Sequence, residues 1–116
     1  MALIVKTSDP QGLLSNIKKE IDTKSIVTWS YDSDGDFTHT PEQWQYKGWM
    51  RAKIYQGEIH FGFLGHKDVN TTKLIYAVYH GRFAEMLLNH FDEKFSNVQA
   101  TSMPTNLDKI TNLKTT

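Results

Sequence analysis

The sequence predicts an α+β fold: a two-layer sandwich in which a mainly antiparallel sheet of about 4–6 strands carries two helices packed on one face. Three observations predict it. Residues 48–56 and 58–66 alternate apolar and polar side chains on either side of a QGE turn, which is the period of paired strands. Residues 8–24 and 81–95 instead repeat apolar side chains every three or four positions, the period of an amphipathic helix. Shorter strand-like runs flank these segments, so the order reads β-α, several strands, then α-β, and one sheet must receive both apolar helix faces.

ALIVKT (2–7) is short, apolar and partly β-branched, and reads as a first strand. In SDPQGLLSNIKKEIDTK, Ser8 or Asp9 can cap a helix and Pro10 suits its first turn. Leu13, Leu14, Ile17 and Ile21 form its apolar stripe; Lys18, Lys19, Glu20 and Asp22 form a solvated face. IVTWSY (26–31) returns to strand composition, DSDG is a turn, and DFTHT is the return strand of a hairpin. PEQWQYKG is a loop. In the next two strands Met50, Ala52, Ile54, Ile59, Phe61 and Phe63 point towards the helices. HKDVNTT is a polar loop. KLIYAVYH (73–80), apolar on both faces, is expected as a central strand. The helix expected over 81–95 turns Phe83, Met86, Leu87, His90 and Phe91 to one side, and SNVQATSMP supplies a last short strand. Residues 1–102 are expected as one domain and the polar, threonine-rich residues 103–116 as a flexible C-terminal tail.

Composition narrows the function. The chain has 116 residues, the size of one domain with one core. Thirteen basic and 13 acidic side chains give a net charge of zero, which makes nucleic acid an unlikely partner, because phosphate binders draw affinity from a basic excess. With no cysteine there is no disulfide, no thiolate metal site and no cysteine nucleophile, which fits a cytoplasmic location. The N-terminal apolar run is too short for a signal peptide, and no run is long enough to cross a membrane. No phosphate loop, GxGxxG, GxSxG or HExxH occurs. No cofactor is implied, and enzyme chemistry is the minority expectation.

Three candidate sites remain. In YDSDGDFTH (31–39), Asp32, Asp34 and Asp36 near His39 could bind a metal, joined by His60 or His80. A helix–loop–helix calcium loop fits no register. Counting from Asp32 places the glycine at loop position 4; counting from Ser30 places Pro41 at position 12. The alternative is a hairpin turn whose Asp and Gly supply the permitted backbone angles. In YHGRF (79–83), a strand-to-helix junction at Gly81 would present backbone N–H groups to an anion, with Arg82 beside them. Finally, Trp49, Arg51, Lys53, Tyr55 and His60 share the sheet face turned away from the helices. Rings interleaved with cations suit a protein partner, a second copy of the chain or stacked single-stranded nucleic acid. Against this, the loop of residues 41–48 could fold over that face. The leading expectation is a small soluble binding domain that uses the sheet face to hold a protein partner or itself. The alternatives are a metal-dependent enzyme or metal-binding domain at the aspartates, and a single-stranded nucleic-acid module.

Overall fold

A computed structural model describes residues 2–110 and the backbone of 113–114, and these described residues form eight strands and two helices. They run β1 (Leu3–Lys6), α1 (Pro10–Asp22), β2 (Trp29–Tyr31), β3 (Phe37–His39), β4 (Gly48–Tyr55), β5 (Glu58–Gly65), β6 (Thr71–Thr72), α2 (Lys73–His90), β7 (Asn97–Ala100) and β8 (Leu113–Lys114). Six strands make one antiparallel sheet in the order β2-β3-β4-β5-β1-β7, and β6 pairs with β8 in parallel. Both helices lie on one face of the large sheet. The two-layer α+β architecture is therefore as the sequence predicts.

Local chemistry explains the elements. The Asp9 carboxylate accepts the Gly12 amide and Pro10 opens α1, so the first turn is capped from the start. Leu13 and Ile17 are buried against the sheet, with Leu14 and Ile21 packed beside them. In β4 and β5 the alternation holds: Met50, Ile59, Phe61 and Phe63 are fully buried and Ala52 is half-buried. Ile54, at the far end of β4, remains exposed beyond the helices' reach. The core centres on aromatic rings. Phe83 of α2 meets Trp29 edge-on at 4.9 Å and Phe61 at 4.7 Å between ring centres.

One element differs from expectation. Residues 73–80 are not a central strand but the first half of α2, which starts at Lys73. The Thr72 hydroxyl accepts the Ile75 amide as its N-cap. Ile75, Tyr76, Tyr79, His80, Phe83, Met86 and Leu87 form one buried helical stripe running through Gly81. The central position in the sheet belongs instead to β4 and β5.

The chain from residue 103 docks against the fold as far as it is described. Beyond Leu3 the edge of β5 has no β1 partner, and residues 108–110 take that place. The Lys109 amide donates to the Phe63 carbonyl at 2.8 Å and the Gly65 amide to the Lys109 carbonyl at 2.7 Å. Asp108 accepts from the Phe63 amide, the Thr105 amide and the Tyr76 hydroxyl. Leu107 lies over Gly62, where an added Cβ would come within 2.6 Å of the leucine's own Cβ. Residues 111, 112, 115 and 116 of the expected tail lie outside the described residues.

Candidate functional site

The acidic stretch closes the β2–β3 hairpin. The Gly35 amide donates to the Asp32 carbonyl, and the Asp32 carboxylate accepts the Asp34 and Asp36 amides. Gly35 sits at φ +82°, where a side chain would be strained. Among the described residues, Asp32, Asp34 and Asp36 are the acidic group close enough to share an ion, their nearest ligand atoms lying within 4.8 Å of one another. Asp36, however, is buried and bound in fork geometry by Arg51, Nε to Oδ1 at 2.9 Å and Nη2 to Oδ2 at 2.7 Å. His39 does not join the group. Strand alternation sends Phe37 and His39 into the core, whereas Asp36 meets Arg51 on the other face of the sheet.

Gly81 and Arg82 do not stand at a strand-to-helix junction. They occupy the middle of α2, where each amide is committed to the helix's own hydrogen bonds, so the premise of an anion site made from free N–H groups fails.

Trp49, Arg51, Lys53, Tyr55 and His60 do share the face away from the helices, but most are engaged there. Trp49 stacks on His66 at 5.8 Å and Tyr55 tilts against His60 at 4.4 Å. The Lys53 ammonium lies 5.5 Å from the Tyr55 ring centre, and His60 bonds Glu58. Glu58 also pairs with Lys6; this lysine first, then His60, holds the Glu58 carboxyl below its ordinary range. The segment that crosses this face is 105–109, over Gly62, rather than the loop of residues 41–48. Trp44 of that loop packs against the core on the helix side, and its carbonyl accepts the Tyr79 hydroxyl at 2.6 Å.

By folding to the helix side, that loop builds a cleft of about 260 Å³ between itself, the β2–β3 hairpin and α2. Trp29 and His39 form its base, their rings 4.5 Å apart. Gln43 and Trp44 stand on one side; Arg82, Glu85, Asn89 and His90 stand on the other. The helical period explains the second wall: 82, 85 and 89 are successive turns along one flank of α2. Arg82 and Glu85 form an exposed ion pair at 3.1 Å.

His39 is the most chemically distinct group in the cleft. Its Nδ1 lies 2.8 Å from the Thr28 carbonyl, which can only accept, so Nδ1 carries the proton. In the neutral ring Nε2 is then an acceptor, and among the described residues it has no hydrogen-bond partner. Burial lowers the His39 pKa and nearby Arg82 lowers it further; the Thr28 carbonyl and Glu85 act in the opposite direction. The ring is therefore neutral at pH 7. Sequence reasoning placed His39 with the aspartates and Arg82 at a helix start, and did not bring the two together. The FTH alternation, which puts His39 on the same face as Phe37, was the signal that could have done so.

No protein-family model, curated protein or solved structure matches the chain.

Proposed function

We propose that the protein is a binding domain whose recognition site is the His39 cleft, and that it takes a single polar group of side-chain size presented by a protein partner. Size is the first support. Pockets for drug-sized ligands and cofactors run from about 300 to 1,000 Å³, and this cleft holds about 260 Å³. Chemistry is the second. The neutral His39 ring offers one acceptor, Arg82 offers donors and positive charge, Glu85 and Asn89 offer further acceptors, and the Trp29 and Trp44 rings supply flat apolar walls. Catalysis gains no support from this set. A backbone carbonyl, not a carboxylate, backs His39, and among the described residues no hydroxyl or thiol is hydrogen-bonded to its Nε2.

The observation that carries the reading is the His39 ring, fixed at Nδ1 and open at Nε2 in the only lining position that is both buried and titratable. The test is an amide and indole NMR titration with a panel of capped amino acids. Shifts that converge on His39, Trp44 and Asn89 for at least one donor-bearing side chain, and that vanish in His39→Phe, are the expected outcome. Shifts confined to Trp49, Tyr55 and Lys53 would transfer recognition to the sheet face. No shift at about 10 mM, weaker than any useful side-chain subsite, would end the cleft reading.

A further inference from the structure

The groups that line the His39 cleft must be matched by whatever enters it, and their chemistry narrows the guest further than size does. At the base, His39 is 4% exposed and its Nδ1 is held by the Thr28 carbonyl. The ring therefore turns a lone pair, on Nε2, towards the cleft, and among the described residues that acceptor has no hydrogen-bond partner. Unlike the sealed Thr71 hydroxyl, Nε2 stays open to the cleft. Leaving a nearly buried acceptor unmatched is unfavourable, so the deepest atom of the guest is a donor.

The wall above carries both signs of charge. Arg82 and Glu85 pair at 3.1 Å, with side chains 54% and 65% exposed, and the two bias the His39 proton in opposite directions. The pair adds no net charge to the cleft. A charged guest would give up its hydration for an attraction on one side that a repulsion on the other offsets. A carboxylate would also set its own lone pair against Nε2. An ammonium or guanidinium would satisfy Nε2 and Glu85 but stand against Arg82. The guest is thus neutral. It also needs an acceptor, because Arg82 meets Glu85 through Nη1 alone and keeps its Nε and Nη2 donors for another group.

A hydroxyl and a carboxamide both combine donor with acceptor, and two features favour the carboxamide. His39 lies at the base on β3, whereas Arg82 stands on the α2 wall, so donor and acceptor must act in different directions. A hydroxyl places both on one atom; a carboxamide places them on two. The other neutral polar side chains beside them are Gln43 and Asn89, themselves carboxamides, which can turn either an N–H or a C=O towards a guest amide. The flat Trp44 wall takes the face of a planar group.

We propose that the guest of the His39 cleft is a primary carboxamide, the side chain of a glutamine or asparagine on a protein partner, donating to His39 Nε2 and accepting from Arg82. The proposal rests on the cleft being the recognition site and names what the site recognises. The cleft is smaller than the pockets that hold free drug-sized ligands, which suits a side chain anchored elsewhere on its partner.

The test is an NMR titration of the full chain at about pH 7, where the His39 ring is neutral. The probes are N-acetylglutamine N-methylamide, its side-chain N,N-dimethylamide, and glutamate, arginine and serine capped in the same way. Capped glutamine should shift His39, Trp44 and Asn89 and bind roughly three- to tenfold more tightly than each of the others, the worth of one hydrogen bond. Arg82→Met, at an exposed position, should stay folded by circular dichroism and weaken capped glutamine by roughly the same factor. Capped glutamate, arginine or serine binding as tightly as capped glutamine overturns the carboxamide while leaving the cleft as the recognition site. A dimethylamide that binds as well as the primary amide overturns it too, since it has no N–H to give His39. Free glutamine binding more tightly than the capped form overturns the protein-borne source and assigns the cleft to a small metabolite. No shift from any probe removes the cleft reading itself, and this proposal with it.

Discussion

His39 shows how one side chain can report on the whole fold. Its pKa is lowered from the ordinary 6.5, by burial first, so the folded chain binds this proton less readily than the unfolded chain does. Stability is then fully present above pH 6.5, falls as pH drops through 6.5 towards the lowered folded value, and levels off beneath it. Urea melts between pH 8 and pH 5 should show this slope, and His39→Phe should flatten it; an equal slope in the variant would place the titration elsewhere. The Asp36–Arg51 pair makes a second residue-scale case. The two members are unequally exposed, Asp36 at 6% and Arg51 at 53% of their side-chain surface. Removing the cation leaves a buried carboxylate without its partner, whereas trimming the acid leaves an arginine that water can solvate. Arg51→Met should therefore destabilise by about 1–3 kcal/mol, discounted from the fully buried case, and Asp36→Asn by less. Equal losses in urea melts would contradict that asymmetry. The sequence showed the aspartates but not this pairing, because partners 15 positions apart meet only once β3 and β4 are in register.

At the scale of elements, what was legible depended on how far each pattern carried its own evidence. β4 and β5 alternate over eight residues each around a tight turn, and their buried faces follow directly from that period. α1 announces itself by its cap, its proline and its stripe. The segment 73–80 misleads because its composition is strand-like and because Gly81 looks like a boundary. The Thr72 cap and the continuing three-and-four spacing of Ile75, Tyr76, Tyr79 and Phe83 were the better signals. The exposed Leu74 and Leu88 blurred that spacing, since apolar residues on the solvent side weaken the contrast between the faces. The C-terminal segment was illegible for another reason: polar, short and aperiodic, it docks through backbone bonds to β5 and through Asp108. Asp108→Ala removes the acceptor of two backbone amides and the Tyr76 hydroxyl. It should cost about 2–3 kcal/mol and make the amides of residues 105–110 exchange faster than those of β4. Unchanged exchange there would mean that the Lys109 backbone bonds alone hold the segment.

For the whole molecule, the decisive feature is where the first strand goes. β1 lies between β5 and β7, so the start of the chain completes a sheet whose last strand comes near its end. Lys6 pairs with Asn97, the Thr101 amide donates to the Ala2 carbonyl, and the Thr7 hydroxyl donates to the Lys94 carbonyl. Val5, fully buried at the centre of this strand, touches the core that both helices share. Two consequences follow from loop closure. Strand pairings between distant parts of the chain form only after most of its backbone entropy has been lost, so folding should take milliseconds to seconds rather than microseconds. And β1 both links β7 to β5 and adds Leu3 and Val5 to the one core that the sheet and both helices share, so unfolding should be a single transition. Val5→Ala tests both at once. It deletes two buried methyl groups and should cost about 1.5–3 kcal/mol, shifting tryptophan fluorescence and far-ultraviolet dichroism melts by the same amount. If the β2–β3 hairpin, which carries Trp29, kept its midpoint while the dichroism moved, the hairpin would be an independent unit. The cleft would then be built on an element that β1 does not secure, and ligand binding there would not stabilise the rest of the sheet.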